Sequence, residues 1–262
     1  VLLPATPTRL APPEVFVQGA PPGKEPPRIV DVVWIVNQLE AAGGPRLESS
    51  RFGKGDRIRA RAKVVYEGVE RTVELPEVQA GNSPPWIVDA GMEPAAPTTG
   101  AIARAVVHSK DPDGDPVSVR YTWFVDDRKV AEGADSFQLA GVRKGSLVHF
   151  QAVPNDGTND GGWRYSPRYT VVNSPPVVRS RPPETIGPGG LFTHTIVAED
   201  PDGDPLAYTL EKGPPGMVLS DATLKWQIPE DAYGRSVQVV VKISDNDGGV
   251  IATTFTMTPR NQ

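Results

Sequence analysis

Between Ser236 and Ser244 hydrophobic and polar residues alternate almost one for one. Val237, Val239, Val241 and Ile243 fall on one side, and Gln238, Lys242 and Ser244 on the other. A period of two predicts a strand with one buried face. From about residue 174 onward the chain is built of such segments, separated by Gly, Pro and Asp. They are 177–181, 192–198, 206–211, 217–219, 223–228, 236–244 and 251–257. Leu206, Tyr208 and Leu210 share a face of one, and Ile251, Phe255 and Met257 point inward from the last. Residues 83–173 follow the same scheme. Val117, Val119, Tyr121, Trp123 and Val125 share a face of a long third strand, Val148, Phe150 and Ala152 line a sixth, and 165–172 close the unit. Only residues 36–42 have any helical character.

Seven short strands in about ninety residues predict an all-β chain of immunoglobulin-like antiparallel sandwiches, with Trp123 as a central core residue. Two exact repeats support a tandem arrangement. Asp-Pro-Asp-Gly-Asp-Pro occurs at 111–116 and 200–205, and Asn-Ser-Pro-Pro at 82–85 and 173–176. The offsets, 200 − 111 = 89 and 173 − 82 = 91, define one unit used repeatedly. The expected division is a proline-rich extended leader (1–27), a partial or atypical Ig-like domain (28–82), an Ig-like domain (83–173) and a cadherin-like Ig domain (174–262). Trp34 stands 48 residues before Asn82, as Trp123 stands 50 before Asn173. Lys54-Gly55 and Lys144-Gly145 stand 28 and 29 residues before the same asparagines. Upstream of Val30 the first unit has no counterpart of the first two strands or of the Asp-rich turn. Only residues 15–18 offer a strand there. The leader therefore either completes this unit or leaves an open sheet edge, to which another chain can pair.

The 262 residues include 29 prolines and 26 glycines, spread as punctuation, and no cysteine. Zinc-thiolate sites, thiol nucleophiles and disulfides are thereby excluded. The net charge of −5 gives no reason to expect nucleic acid as a partner, and no apolar run is long enough to span a bilayer as a helix. A start at Val1 rather than methionine fits removal of a signal segment or a trimmed chain.

The repeated turns raise the question of metal. Asp111, Asp113 and Asp115, and likewise Asp200, Asp202 and Asp204 with Glu199 adjacent, place carboxylates at alternate positions around a glycine. In an Ig-like sandwich this loop shares one end with a later loop, here containing Asp156 and Asp160, or Asp245 and Asp247. The Asn-Ser-Pro linkers meet the same end. Calcium takes six to eight oxygens, and these junctions are the expected places for it. Asp, Asn and Gly are equally the ordinary formers of tight turns, so both readings stand at this point.

Four segments carry a family resemblance. They are Asp200-Pro-Asp-Gly-Asp-Pro-Leu-Ala-Tyr, Gly213-Pro-Pro-Gly-Met-Val-Leu, Leu224-Lys-Trp-Gln-Ile-Pro and Val239-Val-Val-Lys-Ile-Ser-Asp-Asn-Asp-Gly-Gly. In this order they resemble the bacterial Ig-like and dystroglycan-type cadherin-like repeats across nearly all of the last unit. The middle unit shares the Asp-rich turn, the Tyr121-Thr-Trp123 strand and the Asn155-Asp-Gly loop, but lacks Pro-Pro-Gly-Met. The resemblance implies extracellular or envelope modules of adhesins, surface filaments and secreted multidomain proteins. Some members of the family bind calcium and others do not.

No nucleophile elbow, metalloprotease pattern or phosphate loop is present, so no catalytic residue is expected. His108, His149 and His194 are expected at the surface or at strand edges. Arg57, Arg59, Arg61 and Lys63 line one strand face, either as a basic stripe for an acidic partner or polysaccharide or, the commoner case, paired with Glu70 and Glu74 across a turn. The chain thus reads as a non-catalytic protein of the cell surface or bacterial envelope, working through protein partners or self-association, with strand exchange through the leader as one route. The alternative is a carbohydrate-binding or adhesion module, for which Trp86 and Trp163 are the candidate contact residues.

Overall fold

The computed structural model describes residues 1–20, 22–183 and 190–260. Pro21 of the leader, residues 184–189 and the last two residues lie outside the described set. The fold is all-β, a tandem series of Ig-like sandwiches built from antiparallel pairs, with three separate hydrophobic cores among the described residues.

The middle core lies between two sheets. One contains Trp86–Glu93, Ile102–Lys110 and Ser136–Gln138; the other contains Arg128–Glu132, Ser118–Val125, Leu147–Asn155 and Arg164–Tyr165, with Tyr169–Thr170 also paired to Leu147–Asn155. Trp123 is fully buried against Phe150 and Phe137. The predicted strand at 165–172 is split in two, because Pro167 has no N–H to give the ladder. In the last core Val239, Val241 and Ile243 are fully buried from the strand Val237–Ser244, as the alternation required. They face Phe192, Leu224 and Trp226 from Leu191–Thr195 and Thr223–Gln227. The last module therefore places its buried tryptophan in the opposite sheet from Trp123.

The first core answers the question of the missing strands. One five-stranded sheet runs Leu39–Gly43, Arg28–Val36, Arg57–Tyr66 and Val69–Glu74, with Val78–Gln79 also on Arg57–Tyr66. The other face of this core is covered by the chain's own leader. Leu2–Leu3 pairs with Glu14–Val15, and Leu2 and Val15 are buried beside Trp34, Leu47 and Phe52. Backbone bonds from Val15 to Pro45 and from Leu47 to Pro13 fix the leader in place. The prolines at 4, 7, 12 and 13 suit such a segment, since a chain held by side-chain burial and scattered bonds needs few donors.

Two expectations are corrected. Residues 36–42 are not helical. Asn37 and Gln38 take positive φ values of 48° and 72°, making a two-residue hairpin turn between Arg28–Val36 and Leu39–Gly43. Such turns match the right-handed twist of paired strands, and the Asn37 side chain locks this one by bonding Asp56 and the Arg57 amide. His149 and His194 are buried rather than superficial. His149 points outward from its sheet but is covered by the Phe124 ring, stacked at 5.0 Å, while His194 shares the inward face of its strand with Phe192 and meets Phe255. The basic strand behaves as expected in part: Arg61 bonds Glu74 at 2.7 Å, and Lys63 stands 3.9 Å from Glu70.

Deleting residues 1–16 removes Leu2 and Val15 from the first core, where each buried aliphatic side chain is worth about 1.5–3 kcal/mol. Calorimetry should show the first module's unfolding transition lowered or lost and the transitions of the other two retained. An unchanged profile would contradict the docking of the leader.

Candidate functional site

The two Asp-rich turns follow strands that end at Lys110 and at Glu199 and lead into Ser118–Val125 and Ala207–Lys212. Each turn is organised by its first aspartate. Asp111 Oδ1 accepts the amides of Asp113 and Asp115 at 2.8 and 3.1 Å. Asp200 Oδ1 accepts those of Asp202 and Asp204 at 2.8 and 3.2 Å. Gly114 and Gly203 take φ near +80°, at 81° and 84°, which a side chain would strain. In each turn one oxygen of all three carboxylates falls within 4.8 Å of the others.

The second aspartate of each turn reaches to the linker from the preceding module. The Ser83 amide donates to Asp113 Oδ2, and the Ser174 amide to Asp202 Oδ2, both at 2.6 Å. The neighbouring loop is tied to the same linker. Asn82 Nδ2 donates to Asp156 Oδ2 and Asn173 Nδ2 to Asp245 Oδ2, again both at 2.6 Å. The other oxygen of Asp156 accepts the amides of Thr158 and Asn159, and that of Asp245 those of Asp247 and Gly249. Glycines allow the close approach: a Cβ on Gly161 would run into the Pro85 carbonyl, and one on Gly249 would stand 2.9 Å from Pro175 Cα.

A lysine of the preceding module completes each junction. Lys54 Nζ donates to Asp115 Oδ2 at 2.7 Å. Lys144 Nζ donates to Asp204 Oδ2, to Asp247 Oδ2 at 2.7 Å and to Asn173 Oδ1 at 3.2 Å. The bonds to Asp204 and then Asp247 push the Lys144 ammonium well above its usual pKa, and the bond to Asp115 raises Lys54. The junctions differ in one further partner. At the first, Arg9 of the leader bonds the Phe52 and Pro112 carbonyls and approaches Asp113 Oδ1 at 3.8 Å. At the second, the Thr99 hydroxyl donates to Asp202 Oδ1.

The sequence-predicted acids thus fall into two groups. Asp111, Asp113, Asp115 and Asp156 converge at one junction, and Asp200, Asp202, Asp204, Asp245 and Asp247 at the other. Asp160 instead forms a two-bond pair with Arg120 at the surface, and Glu199 pairs with Arg179 at 3.3 Å. Lys54, Lys144, Asn82 and Asn173 belong to the site although only the acids were singled out as ligands. Their signal was present in the matched spacing of Lys-Gly to Asn in both units. Among the buried side-chain atoms of the described residues, Asn82 Oδ1, Asp111 Oδ2 and Asp113 Oδ1 at the first junction, and Ser174 Oγ and Asp200 Oδ2 at the second, have no hydrogen-bond partner.

The candidate tryptophans part company. Trp163 is 61% exposed and meets Tyr165 edge-on at 5.2 Å; Tyr165 in turn meets Phe124 and His149. Trp86, 40% exposed, joins no ring contact of this kind among the described residues.

Burial would raise the carboxyls of Asp156, Asp202 and Asp245, but the amides and hydroxyl directed at them outweigh it and hold all three below the usual value. Burial lowers His149 and His194. Both kinds of shift mean that the unfolded chain binds more protons, so stability falls as pH falls. The histidine contribution is lost below about pH 6.5 and the aspartate contribution below about pH 3.9. Denaturant midpoints measured against pH should decline in these two stages, and Asp245→Asn should weaken the second only.

No curated protein matches the sequence. Among solved structures, the chain is similar to the insect immune protein hemolin, with 11% identity, 97% of this chain and 72% of that chain covered and a TM-score of 0.37. It is similar to the N-terminal eight Ig domains of Down Syndrome Cell Adhesion Molecule, with 10% identity, 89% and 33% covered and a TM-score of 0.36. It is also similar to the endo-fucoidan hydrolase MfFcnA4 of glycoside hydrolase family 107, with 15% identity, 94% and 38% covered and a TM-score of 0.28. The chain spans about a third of the length of each of these last two. The Bacterial Ig domain family matches residues 173–258, which hold the second Asp-rich turn and its partners Asn173, Ser174 and Asp245.

Proposed function

We propose that this chain is a non-catalytic extracellular or envelope protein in which Ig-like modules are joined at fixed angles to hold or present contact surfaces. The observation that carries this reading is the repetition of one core of hydrogen bonds at both junctions, from the linker asparagine and serine to matching aspartates, across linkers of the same sequence. A linker that only tethered its modules would need neither the Asn82–Asp156 bond nor its twin between Asn173 and Asp245. The units belonging to this reading are 28–82, 83–173 and 174–262, with residues 1–27 serving the first. The last is assigned to the dystroglycan-type cadherin-like branch by the order of its motifs. Because Leu2 and Val15 fill the chain's own first core, association with other proteins in a surface assembly or filament is assigned to exposed faces, and exchange of the leader between copies would first have to empty that core.

Small-angle X-ray scattering of the full chain should give a narrow distribution of shapes. Gly249→Ala, which drives a methyl into the Asp245 carboxylate and toward Pro175, should broaden that distribution while each module stays folded. Scattering from the unsubstituted chain that requires freely swivelling modules would sink the proposal.

Carbohydrate binding is the second reading, favoured by the exposed Trp163 and Tyr165 in one aromatic row with Phe124 and His149. Sugar rings pack on exposed aromatic faces through their apolar C–H surfaces. On a glycan array Trp163→Ala should abolish any binding that Trp86→Ala leaves intact; equal loss from both, or binding by neither parent nor variant, rejects the aromatic row as the contact.

A further inference from the structure

We infer that Lys54 and Lys144 are built-in cations that close the two junctions, so that the acidic turns hold their modules together without a metal ion. The inference rests on the reading of the junctions as fixed joints and specifies what fixes them. Its first support is position. Both lysines precede a glycine of positive φ, 86° at Gly55 and 87° at Gly145, and both glycine amides bond a carbonyl two residues before the linker asparagine, Ala80 and Val171. That bond sets the lysine against the linker, aimed at the next module's acids.

The second support is that the turn itself does not call for lysine. In the last module the same turn carries Tyr233 before Gly234, whose φ is 75° and whose amide bonds the Pro259 carbonyl in the same way. The lysines at 54 and 144 therefore answer to the carboxylates opposite them. The third is the oxygen count. Asp113 and Asp202 spend an oxygen on the linker amide, Asp111 and Asp200 spend one on their own turn, and Asp115, Asp204 and Asp247 each spend one on the ammonium. Among the described residues the buried carboxylate oxygens without a hydrogen-bond partner are Asp200 Oδ2 at the second junction and, at the first, Asp111 Oδ2 and Asp113 Oδ1, the last standing 3.8 Å from the Arg9 guanidinium. A calcium ion needs six to eight oxygens and would compete with Lys144 for the Asp204 and Asp247 carboxylates.

The ammonium also explains why so many carboxylates are tolerated at close range. Like charges within a few ångströms disfavour ionisation of one another, and Lys144 offsets two of them directly. The side chains of Lys144 and Asp204 are 30% and 22% exposed, so the pair is partly screened and its removal should loosen a joint rather than unfold a module.

The test compares the full chain with Lys144→Met, Asp204→Asn/Asp247→Asn and the three changes combined, each melted in millimolar calcium chloride and in excess chelator. The unsubstituted chain should melt at the same temperature in both. Lys144→Met should lower the midpoint by roughly 2–8 °C and broaden the scattering distribution. The combined variant should melt no lower than Lys144→Met, because the groups act as a pair. Lys144→Met should also acquire a calcium-dependent rise that the unsubstituted chain lacks, its acids having lost their counter-charge; Lys144→Arg should not. A calcium-dependent rise in the unsubstituted chain, or additive losses in the combined variant, would overturn the inference. A stiff parent chain that is indifferent to Lys144→Met defeats the latch alone, whereas a floppy parent defeats the fixed-joint reading beneath it.

Discussion

A carboxylate buried where two modules meet has to be satisfied by both of them, and that requirement organises this molecule. The Asp113 side chain is almost fully buried, and the 2.6 Å bond it accepts comes from the backbone of Ser83 in the linker. Burying a charge without such partners costs several kcal/mol. The module that supplies the acid and the linker that supplies the amide are therefore not free to move apart independently. Asp202 and Ser174 impose the same condition ninety residues later. Directional bonds of this kind fix an angle, which apolar contact alone does poorly, since hydrophobic burial is non-directional.

Around that shared condition the two junctions use different accessories. The second draws on Thr99 and on the doubled acid pair at Lys144. The first draws on the leader: Pro7 accepts the Gly81 amide, and Arg9 bonds both sides of the joint. The leader thus completes the first core with Leu2 and Val15 and braces the first junction with Arg9, seven residues from Leu2. Core and junction are coupled through one short segment. Nothing equivalent is needed at the second junction, because the middle module has its own full pair of sheets.

The strands were legible in the sequence wherever alternation was clean, as at 236–244, because a half-buried strand leaves its period directly in the residues. Trp123 was legible for the same reason. The hairpin at 36–42 was not, since Asn37-Gln38 is an uncommon pair for a turn and the flanking Leu39, Glu40 and Ala41 read as helix formers. His149 escaped because its cover, Phe124 and Tyr165, comes from outside its own segment and lies on the outward face of the sheet, where alternation predicts exposure. The Asp-rich turns announced a charged site plainly, and their carboxylates suggested metal. The lysines opposite lie 61 and 60 residues away from the acids they meet, at 115 − 54 and 204 − 144. A partner at that separation belongs to a neighbouring module and leaves no local pattern beyond its constant distance to the linker asparagine.

A network of paired charges is a costly way to hold two modules if stability were the only requirement, since well-packed apolar residues often do as well or better. It has a different advantage here. Every group in it must be met by a specific partner, so a displaced or rotated module leaves several buried oxygens unpaired at once. Wrong angles are penalised more steeply than the right angle is rewarded. The same feature explains the conjunction of proline and glycine at these points. Pro84, Pro85, Pro175 and Pro176 restrict the linker, and Gly161 and Gly249 let the adjoining loop come against it without a side chain between. Restriction of the linker lowers the entropy lost on closing the joint, and close approach brings Asn82 and Asn173 within reach of their acids. The geometry of each joint is in this way written twice, once in backbone conformation and once in charge.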